Sequence, residues 1–109
     1  MGVDVLLMQV RREGTSSKRH HRSVLDSVPD YSDVFAELCE NSGKPMLSRV
    51  DRYGSLLLTS QDMPQFIAEV DGLRSGVASV EQVAILDEIG RLARRCGEDG
   101  SLELHLEGD

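Results

Sequence analysis

The most informative part of the chain is residues 45–73, which read PMLSRVDRYGSLLLTSQDMPQFIAEVDGL. Asp is favoured at the first position of a type I turn, and Gly supplies the positive φ that closes a bulged hairpin. Asp51-Arg52-Tyr53-Gly54 therefore predicts a hairpin turn, with Met46–Val50 and Ser55–Thr59 as its strands. Residues 60–64 then predict the start of a helix that runs to Leu73, because proline is tolerated in a first helical turn.

Apolar periodicity predicts the elements before this stretch. Residues 3–10 carry apolar side chains on both faces, which is typical of a central strand. Residues 23–28 are expected to form a short helical turn that ends at a proline. Asp30 is expected to cap a helix ending near Glu40, with Tyr31 and Phe35 on its buried stripe.

The same periodicity predicts the elements after it. In the helix after the hairpin, Glu69 falls outside the buried stripe. Ser79 is expected to cap a second helix that ends at Gly97. Residues 102–107 alternate strictly between apolar and polar, which indicates a strand with one solvated face. The predicted order is β-α-β-β-α-α-β, and we expect an α+β fold with a single four-stranded, largely antiparallel sheet and helices packed on it.

Length and composition indicate one domain spanning residues 1–109, with an aliphatic core, because only 4% of the residues are aromatic and tryptophan is absent. Cys39 and Cys96 lie on predicted apolar helix faces, where we expect buried, reduced thiols. No apolar run is long enough to serve as a signal peptide or to span a membrane. We therefore expect a cytoplasmic protein with no membrane partner.

Charge divides the chain into two unequal parts. Residues 11–22 contain no apolar residue and carry one acid and five basic residues, namely Arg11, Arg12, Lys18, Arg19 and Arg22, so their net charge is +4. This composition predicts a mobile basic loop, which is either simply solvated or a contact for anions or nucleic acid. The rest of the chain carries seven basic and 18 acidic residues, a net charge of −11. That excess either serves solubility alone or attracts a basic partner.

Motifs for catalysis or cofactor binding are not found. The chain has no glycine-rich phosphate loop, no paired-cysteine zinc pattern and no G-x-S-x-G turn. His20 and His21 are adjacent and cannot both face one metal ion, and His105 is distant in sequence. We predict no catalytic residue, no metal site and no cofactor. A small enzyme using His105, His20 or His21 is kept as the third hypothesis.

The predicted partner-binding residues come from the hairpin tip and from the last strand. Backbone geometry alone accounts for Asp51, Gly54 and Asp62, but not for Arg52 and Tyr53. An exposed Arg-Tyr pair has the composition of an interface hot spot. The complete predicted set is Arg49, Asp51, Arg52, Tyr53, Glu103, His105, Glu107 and Asp109.

Four short segments resemble a family of small bacterial proteins: LSRVDRYG at 47–54, QDM at 61–63, LARRC at 92–96 and LHLEGD at 104–109. Members carry an R-x-D-x-Y-G turn, a Q-M helix start, an L-A-R-x-C helix end and a terminal strand closing on Gly-Asp. The resemblance covers about 60 residues, and this chain departs from it at Arg52, where proline is common, and in the basic insert before His20. The family carries no assigned activity. By association, such small acidic proteins are similar to immunity proteins that neutralise toxins.

Three functional hypotheses follow from these observations. The leading one is a protein-binding module, most concretely an immunity-type inhibitor that occludes a basic, toxin-like domain. The alternative is a nucleic-acid or anion-binding protein that acts through Arg11, Arg12, Lys18, Arg19 and Arg22. The third is the small enzyme.

Overall fold

The computed structural model of the chain describes residues 2–12, 20–77 and 79–108. Four strands form one antiparallel sheet in the order β2-β1-β4-β3, and three helices cover one of its faces, with α3 in direct contact with the strands. The α+β class and the four-stranded antiparallel sheet are confirmed. The elements in chain order are β1 (Asp4–Arg12), β2 (His20–Val28), α1 (Val34–Glu40), β3 (Ser55–Thr59), α2 (Met63–Gly76), α3 (Val80–Glu98) and β4 (Leu102–Glu107).

The second element is a strand, and the helical turn predicted for residues 23–28 is wrong. β2 pairs with β1, and Leu7 lies opposite Asp26 while Met8 lies opposite Val24, so Leu25 is an extra residue in a β-bulge. A bulge breaks the two-residue alternation of a strand. The apolar residues of β2 therefore have the spacing of a helix. The observed order is β-β-α-β-α-α-β.

The first strand of the predicted hairpin is also absent. Residues 47–49 form a single 3₁₀ turn instead, preceded by Met46. The backbone N–H groups of Met46 and Leu47 donate to the carboxylate of Glu69 on α2, each at 3.0 Å. Glu69 is therefore buried, contrary to its predicted place outside the helix stripe. This contact links distant parts of the chain, so the local apolar pattern of residues 46–50 does not reveal it.

Part of the predicted basic loop belongs to the sheet. Arg11 and Arg12 end β1, and residues 20–22 begin β2, with Arg11 opposite His21 in the register. Residues 13–19, which include Lys18 and Arg19, lie outside the described residues.

The core lies between one sheet face and the helices. Helix α3 packs across β1, β2 and β4, while α1 and α2 pack against α3. Cys39 and Cys96 are buried as predicted, and burial raises the pKa of both thiols, that of Cys96 to about 11. The sheet's buried side chains are Val5, Leu7, Val28, Leu58, Leu102, Leu104 and Leu106, and those of β1 and β4 belong to alternate residues. The opposite face, which we call the outer sheet face, is partly exposed.

A buried carboxylate fixes the start of α1. Asp30 lies before the helix, and its oxygens accept hydrogen bonds from the backbone N–H groups of Phe35 (3.1 Å) and Ala36 (3.0 Å). The same carboxylate also accepts from Val3 N–H at 3.1 Å, which ties α1 to the start of the sheet. Asp30 thus satisfies helix N–H groups as predicted, although the helix begins at Val34.

Candidate protein-interaction surface

The turn at residues 51–54 packs against the end of β4. Tyr53 N–H donates to the Asp51 carboxylate at 2.9 Å, and Gly108 N–H donates to the Gly54 carbonyl at 2.7 Å. A Cβ atom on Gly108 would lie 2.3 Å from the backbone carbonyl of Arg52, so only glycine fits there. The structure therefore brings the turn and the end of the last strand to one end of the sheet, while Glu103 lies toward the other end, opposite Thr59.

The predicted reason for the glycine at position 54 is wrong. Gly43 is the only glycine with a positive φ among the described residues. At Gly54, a Cβ atom would meet the Asp51 carboxylate at 3.0 Å. At Gly54 the backbone is not left-handed, and a Cβ atom there would require the Asp51 carboxylate to shift by a few tenths of an ångström.

Arg52 is less exposed than the sequence suggested. Its side chain retains 19% of its exposure, because Nε donates to Glu40 at 2.9 Å and Nη1 lies 3.4 Å from the Asp33 carboxylate. These ion pairs join the turn to both ends of α1. Arg52 therefore positions the turn, whereas the neighbouring Tyr53 is 72% exposed.

Tyr31 was predicted to be buried but is 92% exposed. It precedes α1, two residues before Asp33, which pairs with Arg52. Tyr31 lies four residues before Phe35, which is the spacing of one helix face, but the helix begins only at Val34, so Tyr31 lies outside it. The only two tyrosines of the chain are thus both exposed near the ion pairs of Arg52. We call Tyr31, Asp33, Arg52 and Tyr53 the tyrosine end.

The polar side chains of β4 lie on the outer sheet face, as predicted. The register sets His105 between Leu6 of β1 and Leu57 of β3. His105 Nε2 lies 2.9 Å from a carboxylate oxygen of Glu103, and Nδ1 lies 3.6 Å from one of Glu107. These residues form a row that leads toward the tyrosine end, since β4 ends at Glu107 beside Gly108.

Arg22 joins this row from β2. Its Nε donates to Glu103 at 3.0 Å. Burial raises the pKa of Glu103, but hydrogen bonds from His105 and Arg22 outweigh it, so the net pKa is lowered and the carboxylate is ionised at neutral pH. One cation of the alternative anion-binding set is therefore paired with an acid of the leading set.

Other predicted residues are placed as follows. Arg49 and Asp51 are exposed beside the turn, and Arg11 is exposed at the end of β1. Asp109 lies outside the described residues.

A shallow cavity of about 280 Å³ lies between α2 and α3, away from this surface. Its lining contains no histidine and consists of Met63, Pro64, Ile67, Arg94, Gly97 and Glu98. Within residues 2–12, 20–77 and 79–108, no three histidine, cysteine or acidic side chains are grouped as metal ligands. No helix in the same ranges is long and apolar enough to cross a bilayer.

Comparison of the chain with family models, with curated proteins and with solved structures finds no match. The function therefore has to be inferred from the geometry of this chain.

Proposed function

We propose that this chain is a protein-binding module whose tyrosine end and outer sheet face bind a basic partner. In its most concrete form it is an immunity-type inhibitor that covers a basic, toxin-like domain. The supporting observation is the contact of Gly108 with the turn, which joins exposed Tyr53 and the acidic row of β4 in one surface.

The tyrosine end has the composition of a binding hot spot. Exposed tyrosines bury much area on binding while few rotatable bonds are fixed. Arg52 ties the loop before α1 to the turn through Asp33, so the backbone that presents Tyr31 and Tyr53 is held before a partner arrives. A surface ordered in advance loses less entropy on binding.

The carboxylates supply the preference for a basic partner. Glu107 is 40% exposed at the end of the row, and the chain carries a net charge of −7. Opposite charge accelerates association, and the acceleration weakens as salt screens it. We therefore expect the acidic row to affect mainly the association rate and the tyrosines to affect mainly dissociation.

The test uses the product of the adjacent gene as the candidate partner. Calorimetry with the purified proteins is expected to show binding that Tyr53→Ala weakens about tenfold or more, which is the effect of a hot-spot residue. Glu107→Gln is expected to slow association at low salt. Glu98→Gln is the matched control, because Glu98 is exposed at the end of α3 that leads into the start of β4, opposite Glu107.

Two outcomes contradict the proposal. The first is no binding, together with cells that survive exposure to that gene product after this chain is deleted. The second is binding that neither Tyr53→Ala nor Glu107→Gln affects.

One observation favours a second candidate, anion or nucleic-acid binding. Strands β1 and β2 continue past the last pair of β1 with β4, which is Gln9 with Leu102, so residues 11–12 and 20–21 extend beyond the four-stranded sheet. Arg11 is exposed there. A gel shift at low salt that disappears when residues 13–19 are deleted supports this candidate, and the absence of any shift contradicts it.

A further inference from the structure

The two edge strands of the sheet, β2 and β3, differ in the features that prevent pairing with another strand. Edge strands commonly avoid pairing through charged side chains and bulges. β2 has both devices, namely Arg22, Asp26 and the bulge at Leu25. β3 has neither: residues 54–60 read GSLLLTS, without a charge or a proline, although 28% of the chain is charged.

The backbone of β3 offers hydrogen-bonding groups at this edge. Paired and unpaired residues alternate along an antiparallel strand. Since Gly54 accepts from Gly108, the backbone groups of residues 54, 56 and 58 face β4, and those of Ser55 and Leu57 face outward. In the described part of the chain, no hydrogen bond satisfies these outward groups. The Leu57 side chain is 45% exposed on the outer sheet face.

We propose that β3 pairs with β3 of a second copy of this chain, in antiparallel orientation, so that two sheets become one sheet of eight strands. The sequence Ser55-Leu56-Leu57-Leu58-Thr59 is nearly symmetric about Leu57. A twofold axis at Leu57 sets leucine opposite leucine and hydroxyl side chain opposite hydroxyl side chain. Each pair then lies on the same face, as sheet geometry requires.

The hydrogen bonds of this arrangement can be assigned. The two copies of Leu57 exchange a pair of bonds across the axis, and each Ser55 N–H donates to the Thr59 carbonyl of the other copy. Thr59 N–H needs no new partner, because it already donates to the Asp62 carboxylate at 2.9 Å. The symmetric pairing thus satisfies the N–H groups that the single chain leaves open.

Charge permits this pairing although each chain is acidic. Only uncharged residues meet at the axis. The carboxylates of Glu103 and Glu107 are one strand further in, and the register sets Glu103 of one copy level with Glu107 of the other, three strand spacings or about 14 Å apart. That separation exceeds the screening length of about 8 Å at physiological salt.

The contact is small, with five residues in each copy, and belongs to the class of weak, reversible interfaces. We therefore expect a dissociation constant between about 10 µM and about 1 mM. Dimer formation is measured on the protein alone, without the partner of the proposed function, so the two proposals can be tested separately.

Sedimentation equilibrium of the protein alone, from about 10 µM to about 1 mM, tests the proposal. The average mass is expected to rise from 12.0 kDa toward twice that value. Leu57→Lys sets two like-charged side chains directly opposite each other at the axis, on Cα atoms about 5.5 Å apart, and is expected to leave a monomer with an unchanged circular dichroism spectrum. Val24→Lys makes the same change at an apolar position, 57% exposed, on the other edge strand, and is expected to dimerise normally.

Three results would overturn the proposal: a wild-type protein that stays monomeric at the highest concentration, a dimer that survives Leu57→Lys, or a dimer that Val24→Lys abolishes. Amide hydrogen exchange gives a second readout. Leu57 N–H is expected to become protected as the concentration rises, and unchanged exchange there contradicts the pairing.

Discussion

Replacing Asp30 with asparagine tests whether a single carboxylate ties helix α1 to the sheet. The three N–H groups that donate to Asp30 belong to Val3, Phe35 and Ala36, at 3.0–3.1 Å. One oxygen serves Val3 and Ala36, and the other serves Phe35. Asparagine retains only one acceptor oxygen, so its amide nitrogen must face at least one of these donors.

The expected cost follows from the bonds lost. A hydrogen bond to a charged group contributes about 1.5–3 kcal/mol, and the bonds that remain lose their charge assistance. We therefore expect Asp30→Asn to reduce the free energy of unfolding by about 3 kcal/mol. For a domain of this size, that is a large fraction of the total stability.

Urea denaturation followed by circular dichroism measures this loss. With a slope of about 1.5 kcal/mol per molar urea, the midpoint is expected to fall by about 2 M. Asp71→Asn is the matched control: it removes the same charge from an exposed site on α2, and its midpoint is expected to stay unchanged. A shift for Asp30→Asn of less than about 0.3 M, with unchanged amide exchange at Phe35, would refute this account of the helix start.

Two further substitutions test other contacts. Glu69→Gln is expected to reduce the free energy of unfolding by about 2 kcal/mol at pH 7. Burial raises the pKa of Glu69, but hydrogen bonds from Gln65 and the backbone outweigh burial and lower the pKa overall. The stability that ionised Glu69 contributes is therefore present above the ordinary glutamate pKa of 4.5 and is lost as the pH falls. The difference between wild type and Glu69→Gln in urea should therefore shrink below about pH 4.5, and a difference that stays constant with pH would argue against an ionised Glu69. Gly108→Ala forces a backbone clash and is expected to reduce the free energy of unfolding by about 2–3 kcal/mol. The control Gly100→Ala, with nothing within 4 Å of its Cβ position, is expected to leave the melting temperature nearly unchanged. Equal melting temperatures for the two variants would show that the turn can move to relieve the clash at little cost.

The elements that the sequence predicts well are those whose period is uninterrupted. The observed helix α3 begins after Ser79, whose hydroxyl accepts from Gln82 N–H, and ends one residue past the predicted Gly97. β4 alternates between buried and partly exposed residues throughout. In both cases the local pattern and the tertiary packing demand the same structure.

The predictions that are wrong concern segments whose backbone conformation depends on contacts that the local apolar pattern does not show. The residues before the turn form a 3₁₀ turn because their N–H groups meet Glu69, which is more than twenty residues away. The bulge at Leu25 interrupts the apolar alternation by which β2 would be predicted as a strand. Tyr31 has the spacing of a buried helical residue but lies before α1, because the N–H groups at the start of that helix donate to Asp30. None of these causes leaves a periodic pattern in the local sequence.

The candidate surface was predicted in composition but not in geometry. The alternation of β4 predicts that Glu103 and Glu107 face away from the core, and the turn chemistry predicts an exposed Tyr53. That Tyr53 and Glu107 share one end of the molecule depends on the register of β3 with β4, which is a non-local property. The role of Arg52 also depends on a distant contact, since its ion pairs are with α1 and with the residue before it.

The contact of Gly108 with the turn gives a physical reason for the turn and the terminal Gly-Asp strand to occur together in one chain. Any side chain at position 108 would collide with the backbone of Arg52, so the turn and the end of β4 form one structural unit. Within that unit, Arg52 and Gly108 position the turn, and their substitution would reduce binding by deforming the surface. Tyr53 and Glu107 are the exposed positions that such a unit presents, and their substitution separates recognition from folding.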